Sequence, residues 1–385
     1  MRLFVWSILI TLCLSVNAQE AKDSTEEENI PENPLHPIKA FKDLKRDTTL
    51  NLREKLHESK NIFVRFIKAF DIYDTTYIEP NRYNWTVMLQ QTNTFERFRL
   101  RGEETRHILA FNSQPGFKFG PYLGWRWIFL GYAIDVSTIG GKKSTKTEFE
   151  LSLYSSLLGC DLLYRKTGDD FKIKKAVGYD QDLTEYYGTS FDGISISTIG
   201  LNLYYVMNHN QFSLPAAFSQ STVQRKSAGT WKFGLSVTKH NISIDYESLN
   251  NQIPGGMSSD MEIAQMHYMD YSLSAGYAYN WVFKKNWLFS ADLAPEIGYK
   301  RTNRDLWKME EDNGSKKLYK TFYEKGNVNF NVTGRLALVW NNGKHYYGLS
   351  AVLHNFNYRY KELSMHNTFF TIYLYAGLNF MRKRR

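Results

Sequence analysis

Four His-Asn pairs are the residues best suited to chemistry: His209-Asn210, His240-Asn241, His354-Asn355 and His366-Asn367. A histidine base oriented by an asparagine and set beside a serine would hydrolyse an acyl ester. Serines are plentiful nearby, yet no Gly-x-Ser-x-Gly elbow occurs. Three of the four pairs fall near expected strand ends or loops, where both residue types are common. Asp169-Asp170, Asp180 and Asp182 share one loop, suited to a divalent cation or simply to water. No His-x-x-x-His and no clustered Cys/His spacing accompanies them. Gly140-Gly141 and Gly255-Gly256 lack phosphate-loop spacing. Lys166, Lys172, Lys174 and Lys175 form a basic strand extension, fit for external phosphates or for solvent. No catalytic, cofactor or metal residue is therefore assigned, and the expectation is that the protein is not an enzyme.

The elements that would hold such residues follow from composition. The chain has 385 residues, 43% hydrophobic and 23% charged, with an unusual 16% aromatic. No apolar run of ~18 residues follows the N-terminus, which excludes a helical membrane protein. The net charge of +9 is modest for this length, and no basic block points to nucleic acid. Met1–Ala18 reads as a signal peptide. Arg2 is its charged start, Leu3–Val16 its apolar stretch, and Val16-Asn17-Ala18 its cleavage site. Cleavage removes Cys13 and leaves Cys160 without an intramolecular partner. Residues 19–48 are polar and proline-interrupted, a linker. Leu52, Leu56, Phe63, Ile67 and Phe70 follow helical spacing, an amphipathic helix that packs on the main domain or lies on a membrane.

From Tyr83 the period becomes two. Tyr271, Leu273, Ala275, Tyr277, Tyr279, Trp281 and Phe283 alternate with Ser272, Ser274, Gly276, Ala278, Asn280 and Val282. Tyr83–Gln90, Trp287–Lys300, Val328–Trp340 and Phe370–Phe380 repeat the pattern. These strands are roughly ten to fifteen residues long, where a globular strand has about five or six. Aromatics gather near their ends, as in a headgroup girdle. Lys284-Lys285-Asn286 and Asn341-Asn342-Gly343-Lys344 are short turns, whereas 245–267 and 302–326 are long polar stretches. Short turns on one side and long loops on the other describe a membrane barrel. Pro295 is the exception inside a clear strand, expected at a bulge or a strand end. Phe212–Ser221 is apolar, holds a proline and lies in a connection, so it either folds into the lumen or caps one end.

Several segments carry a family likeness. They are Asp74–Asn81 leading into Tyr83–Gln90, then Gly120–Tyr132, Glu148–Ser156, Asp161–Gly168, Phe212–Ser221 and Gln224–Gly229. In this order the chain resembles an uncharacterised Gram-negative family of outer-membrane barrels, domain of unknown function 4421. The resemblance spans Asp74 to Phe380. It implies an outer-membrane barrel and supplies no reaction, ligand or catalytic residue.

The expected fold is all-β: an antiparallel transmembrane β-barrel of about twelve strands, with an N-terminal linker and amphipathic helix. The domains are 1–18 signal peptide, 19–78 linker and helix, 79–380 barrel, and 381–385 basic tail. The expected location is the outer membrane. The expected partners are outer-membrane lipid, lipopolysaccharide and the barrel-assembly machinery, with no nucleic acid and no cofactor. The specific role is unknown, either structural or a narrow pore for transport. The alternative is a lipid-modifying hydrolase with a Ser/His/Asn site.

Overall fold

The alternation along the chain becomes one antiparallel sheet. The computed structural model describes residues 73–125, 128–131, 133–136, 146–167, 171–258, 261, 265–306, 327–360 and 363–383. The signal peptide, the linker, the 50–70 helix, Gly140-Gly141, Asp169-Asp170 and the last two arginines lie outside the described residues. The first half contains β1 (Ile78–Pro80), β2 (Tyr83–Gly102), β3 (Ile108–Ser113), β4 (Gly116–Trp125), β5 (Ile128–Gly131), β6 (Ile134–Asp135), β7 (Thr147–Tyr154), β8 (Leu158–Lys166), β9 (Phe171–Val177), β10 (Ser190–Phe191) and β11 (Ile194–Val206). Then come α1 (Leu214–Phe218), β12 (Thr222–Gln224), β13 (Ala228–Ile244) and α2 (Tyr246–Gln252). The chain finishes with β14 (Gln265–Lys284), β15 (Trp287–Leu306), β16 (Asn327–Asn341), β17 (His345–Tyr360) and β18 (Leu363–Arg382).

β1 and β12 pair with each other, and the remaining strands form a 16-stranded sheet. Its backbone runs β7-β8-β11-β13-β14-β15-β16-β17-β18-β2, then β3 at the loop end and β4 at the turn end. The first long strand therefore meets the last, from Tyr83↔Arg382 to Gly102↔Leu363. With β5 and β6 counted as one position and β3, β9 and β10 left out, the wall has twelve positions. Among the described residues no ladder joins β5 or β6 to β7. Side chains cross this seam instead: Lys118 Nζ donates to Glu148 Oε2 at 2.7 Å, and Lys146 Nζ to the Gln114 carbonyl at 2.7 Å.

Apolar side chains cover the outside. Leu235, Leu273, Ile297 and Phe330 stand on adjoining rungs of four strands and are all exposed, Phe330 at 66%. Monomeric soluble proteins do not expose a continuous apolar belt of this kind. Tyr271 and Trp281 lie on the exposed face of β14, ten positions apart. Ten residues at about 3.4 Å each, tilted by about 40°, span about 25 Å, the height of the apolar band of a membrane barrel. This is a transmembrane barrel wall.

Towards the loop end the apolar residues change faces. On β13, Trp231, Phe233, Leu235 and Val237 are exposed, while Ile242 and Ile244, of opposite parity, are buried. β11 reverses between Ile196 and Ile199, and β2 between Phe95 and Phe98. The cause is solvent. Beyond the hydrocarbon the outer face meets water, so apolar groups move inward to a core.

His209-Asn210 lies in a turn, and His240-Asn241 and His366-Asn367 lie within a few residues of the loop-side ends of β13 and β18, as expected, while His354-Asn355 lies deeper in β17. A barrel interior tolerates polar residues within strands. Two expectations need correction. Pro295 is neither a bulge nor a strand end. It sits within β15 opposite Val332, and the β14 ladder skips its rung without a register shift. Gly276, whose added Cβ would meet the Leu293 carbonyl at 2.5 Å, lets the strands stay close there. The stretch 245–267 is not all loop either, since it holds α2 and the start of β14.

Candidate functional site

The lumen is filled in three layers. At the loop end, Phe98, Leu100, Ile194, Ile196, Ile242 and Ile244 point inward from the wall into one buried apolar cluster. Leu249 of α2, followed by Ile253, Met257 and Met261, closes this cluster from above. The Asp245 carboxylate caps α2 by accepting from the Ser248 N–H at 3.0 Å.

The middle layer is charged. Arg335 on β16 donates to Asp161 on β8 at 2.6 Å and to Asp292 on β15 at 3.1 Å. Lys232 on β13 pairs with the same Asp292 oxygen. Asn202 also donates to Asp161, at 3.2 Å. The two cations lie over the Tyr204 ring, 4.7 Å for Lys232 and 5.3 Å for Arg335. Lys300 and Asp270 form a second pair at 3.3 Å, and Asn331 donates to Asp270 at 2.7 Å. Near the seam, Arg165 donates to Glu148 at 2.8 Å. Charges buried this far from bulk water persist only when paired and hydrogen-bonded.

The third layer, at the turn end, is a plug. Ser213 caps the short helix α1 by accepting from the Ala216 N–H at 3.2 Å, and Pro215 supplies the fixed φ of a first turn. Ala216 and Ala217 pack on Leu288, Ala337 and Val339 of the wall. Polar groups lock the segment in place. Asn280 donates to the Ser213 carbonyl at 2.8 Å and to Gln224 Oε1 at 3.0 Å. Gln220 donates to the Tyr375 hydroxyl at 3.0 Å and accepts from Asn341 at 3.1 Å. The Tyr375 ring lies against Gly348 and the Tyr346 ring against Gly377; an added Cβ would approach them to 2.3 and 2.1 Å. Glycine at both positions lets these rings lie flat under the plug.

The plug is tied to the chain that enters the barrel. β12 pairs with β1, Ile78↔Gln224 through Pro80↔Thr222. The Arg225 N–H donates to the Tyr77 carbonyl at 2.7 Å, and its guanidinium pairs with Glu79 and reaches Asn286 Oδ1 at 3.0 Å. Three segments that carried the family likeness, Asp74–Asn81, Phe212–Ser221 and Gln224–Gly229, thus meet in one place. Sequence reading saw each of them and missed their meeting, because pairing between residues so far apart leaves no periodic trace.

Among the described residues, His240, His354 and His366 have threonine or asparagine side chains as hydrogen-bond partners. His240 lies buried between the Thr198 and Thr238 hydroxyls, each at 3.0 Å, and stacks on Tyr268. His354 contacts Thr333 at 3.3 Å, and His366 contacts Asn357 at 2.6 Å. None of these three rings is bonded to a serine. Asp182 accepts from the Thr184 N–H at 3.0 Å and from its hydroxyl at 2.8 Å, bonds that hold its carboxyl below the ordinary range. Among the described residues no cluster of His, Cys, Asp or Glu could hold a metal. Lys166 ends β8, and Lys172, Lys174 and Lys175 lie on β9, the last two exposed.

The wall, its faces and its filling define a transmembrane antiparallel β-barrel with a packed lumen. The chain belongs to the family described as Domain of unknown function (DUF4421), whose model matches residues 72–380. Comparison with curated proteins finds no match. Solved structures similar to it include the beta domain of the Bordetella autotransporter BrkA, 11% identical, covering 75% of this chain and 98% of that one at a TM-score of 0.27. An outer membrane channel from Pseudomonas putida F1 is 9% identical, with 77% and 96% covered and a TM-score of 0.29. The P. putida toluene transporter TodX is 9% identical, with 78% and 91% covered and a TM-score of 0.20.

Proposed function

We propose that this protein is an outer-membrane barrel that seals its own lumen and serves as a structural or binding protein, without enzymatic activity and without passing solutes. One observation carries the reading: the lumen is filled by an apolar core at one end and by a tethered plug at the other, with an ion-paired layer between. A solute path needs a continuous wet passage, and the buried apolar side chains across the lumen favour the sealed reading over it. The partners in this reading are outer-membrane lipid, lipopolysaccharide and the assembly machinery. Arg97, Arg99 and Arg101 support the second. They alternate with buried Phe98 and Leu100, so they face outward just beyond the apolar belt, where lipopolysaccharide phosphates would lie. The test is current through planar bilayers holding the refolded full chain. The expected record is that of the bare bilayer, and steady conductance steps would refute the reading.

A further inference from the structure

A cavity of about 920 Å³ lies at the turn end, where among the described residues β7 has no ladder on its seam side. Ser213 and Pro215 of the plug line it from within. Leu153, Cys160 and Leu203 line it from the wall. These three occupy adjoining rungs, Leu153↔Cys160 and Cys160↔Leu203, and Leu203 is exposed on the lipid-facing side. Lys383, just after the last strand, also lines the cavity. The cavity therefore reaches from the plug to the lipid-facing side of the wall.

We propose that this cavity holds an acyl chain of an anionic phospholipid from the turn-side leaflet. The volume falls within the range of about 300–1,000 Å³ usual for small-molecule sites. Its walls are largely apolar and continuous with the belt that hydrocarbon covers, so the material in contact with them is an acyl chain and not a water-soluble solute. Tyr83, at the turn end of β2, lines the cavity together with Lys383, and aromatic and basic side chains at strand ends mark the headgroup level. A lysine at that level favours a negative phosphate over a neutral headgroup. The proposal rests on membrane embedding, as the functional reading does, but not on a sealed lumen.

The test is native mass spectrometry of the full-length refolded barrel after exchange from phosphatidylglycerol-containing micelles into detergent. One retained phosphatidylglycerol per barrel is expected, with less retention of phosphatidylethanolamine. Ser221→Trp, which fills the cavity from the plug side, should lower retention about tenfold, whereas Leu336→Trp on the far wall should leave it unchanged. Equal retention by Ser221→Trp and the wild type would overturn the proposal. Loss with Lys383→Glu but not with Ser221→Trp would also overturn it, because only a headgroup would then be bound. If Ser221→Trp does not fold, a bimane on Cys160 decides. Chain-labelled doxyl phosphatidylglycerol should quench it more than a bimane on Leu336→Cys in a Cys160→Ser background. Equal quenching would refute an enclosed chain. A conducting wild type would sink the sealed-lumen reading and leave these outcomes untouched.

Discussion

The two ends of the lumen are filled by different physics. At the loop end the wall's own side chains turn inward and pack as a soluble protein core does, with the α2 segment above them. At the turn end the filling is a separate insert, fastened by side-chain amides and a tyrosine hydroxyl to its backbone and by one short ladder to the entering chain. The first closure comes from the strands continuing past the membrane, because leaving the hydrocarbon reverses which face is dry. The second needs a dedicated segment, because the strands end in short turns at that side and have nothing left to fold inward.

The sharpest test of this difference is a truncation in the loop-end core. Phe98 is fully buried, and Phe98→Ala should cost about 3–5 kcal/mol, the lost transfer energy plus the cavity left behind. Urea titration followed by the heat-modifiable gel shift would measure it. A loss below 1 kcal/mol would mean that the loop-end layer is loosely filled, and the contrast between the ends would fail.

At the turn end the largest single effect belongs to Asn280. Asn280→Ala leaves the Ser213 carbonyl and Gln224 Oε1 without that donor in a buried site and should cost about 1–3 kcal/mol. Limited proteolysis within 212–225 should quicken in step. If the variant matches Phe98→Ala in cost while proteolysis is unchanged, the plug belongs to the core and is not a separate insert.

The smallest effect belongs to the tether. Arg225 is partly exposed, so Arg225→Ala should cost less than about 1 kcal/mol in global stability. It should still raise hydrogen exchange at β1 and β12, because their short ladder loses the ion pair to Glu79 and the bond to Asn286. Unchanged exchange there would show that the backbone ladder alone holds the strap.

Much of the wall was legible in the sequence. The alternation from Tyr271 to Phe283 fixes the lipid-facing side, and the Lys284–Asn286 and Asn341–Lys344 turns fix which end is short. The loop-end core also left a signal. The apolar parity reverses between Val237 and Ile242, and between Ile196 and Ile199, although a search for unbroken stripes passes over such reversals. The charged layer was visible only as a polar face. Asp292 and Arg335 become partners because their strands set them side by side, and Asp161 joins from across the lumen. Neither register nor curvature is written in a single strand's pattern. The plug was the least legible part. Phe212–Ser221 reads as apolar chain in a connection, and only the fold shows that Asn280, Asn341 and Tyr375 await it.

The proposed seal at both ends predicts that removing one filling leaves the other. The most direct measurement is the current through planar bilayers containing the barrel with residues 213–221 replaced by a Gly-Ser linker. The loop-end core is untouched by this change, so the deleted protein should fold, as judged by heat-modifiable mobility, and should conduct no more than the wild type. Steady open-channel steps that appear on deletion would contradict the account, since the turn-end plug would then be the sole barrier.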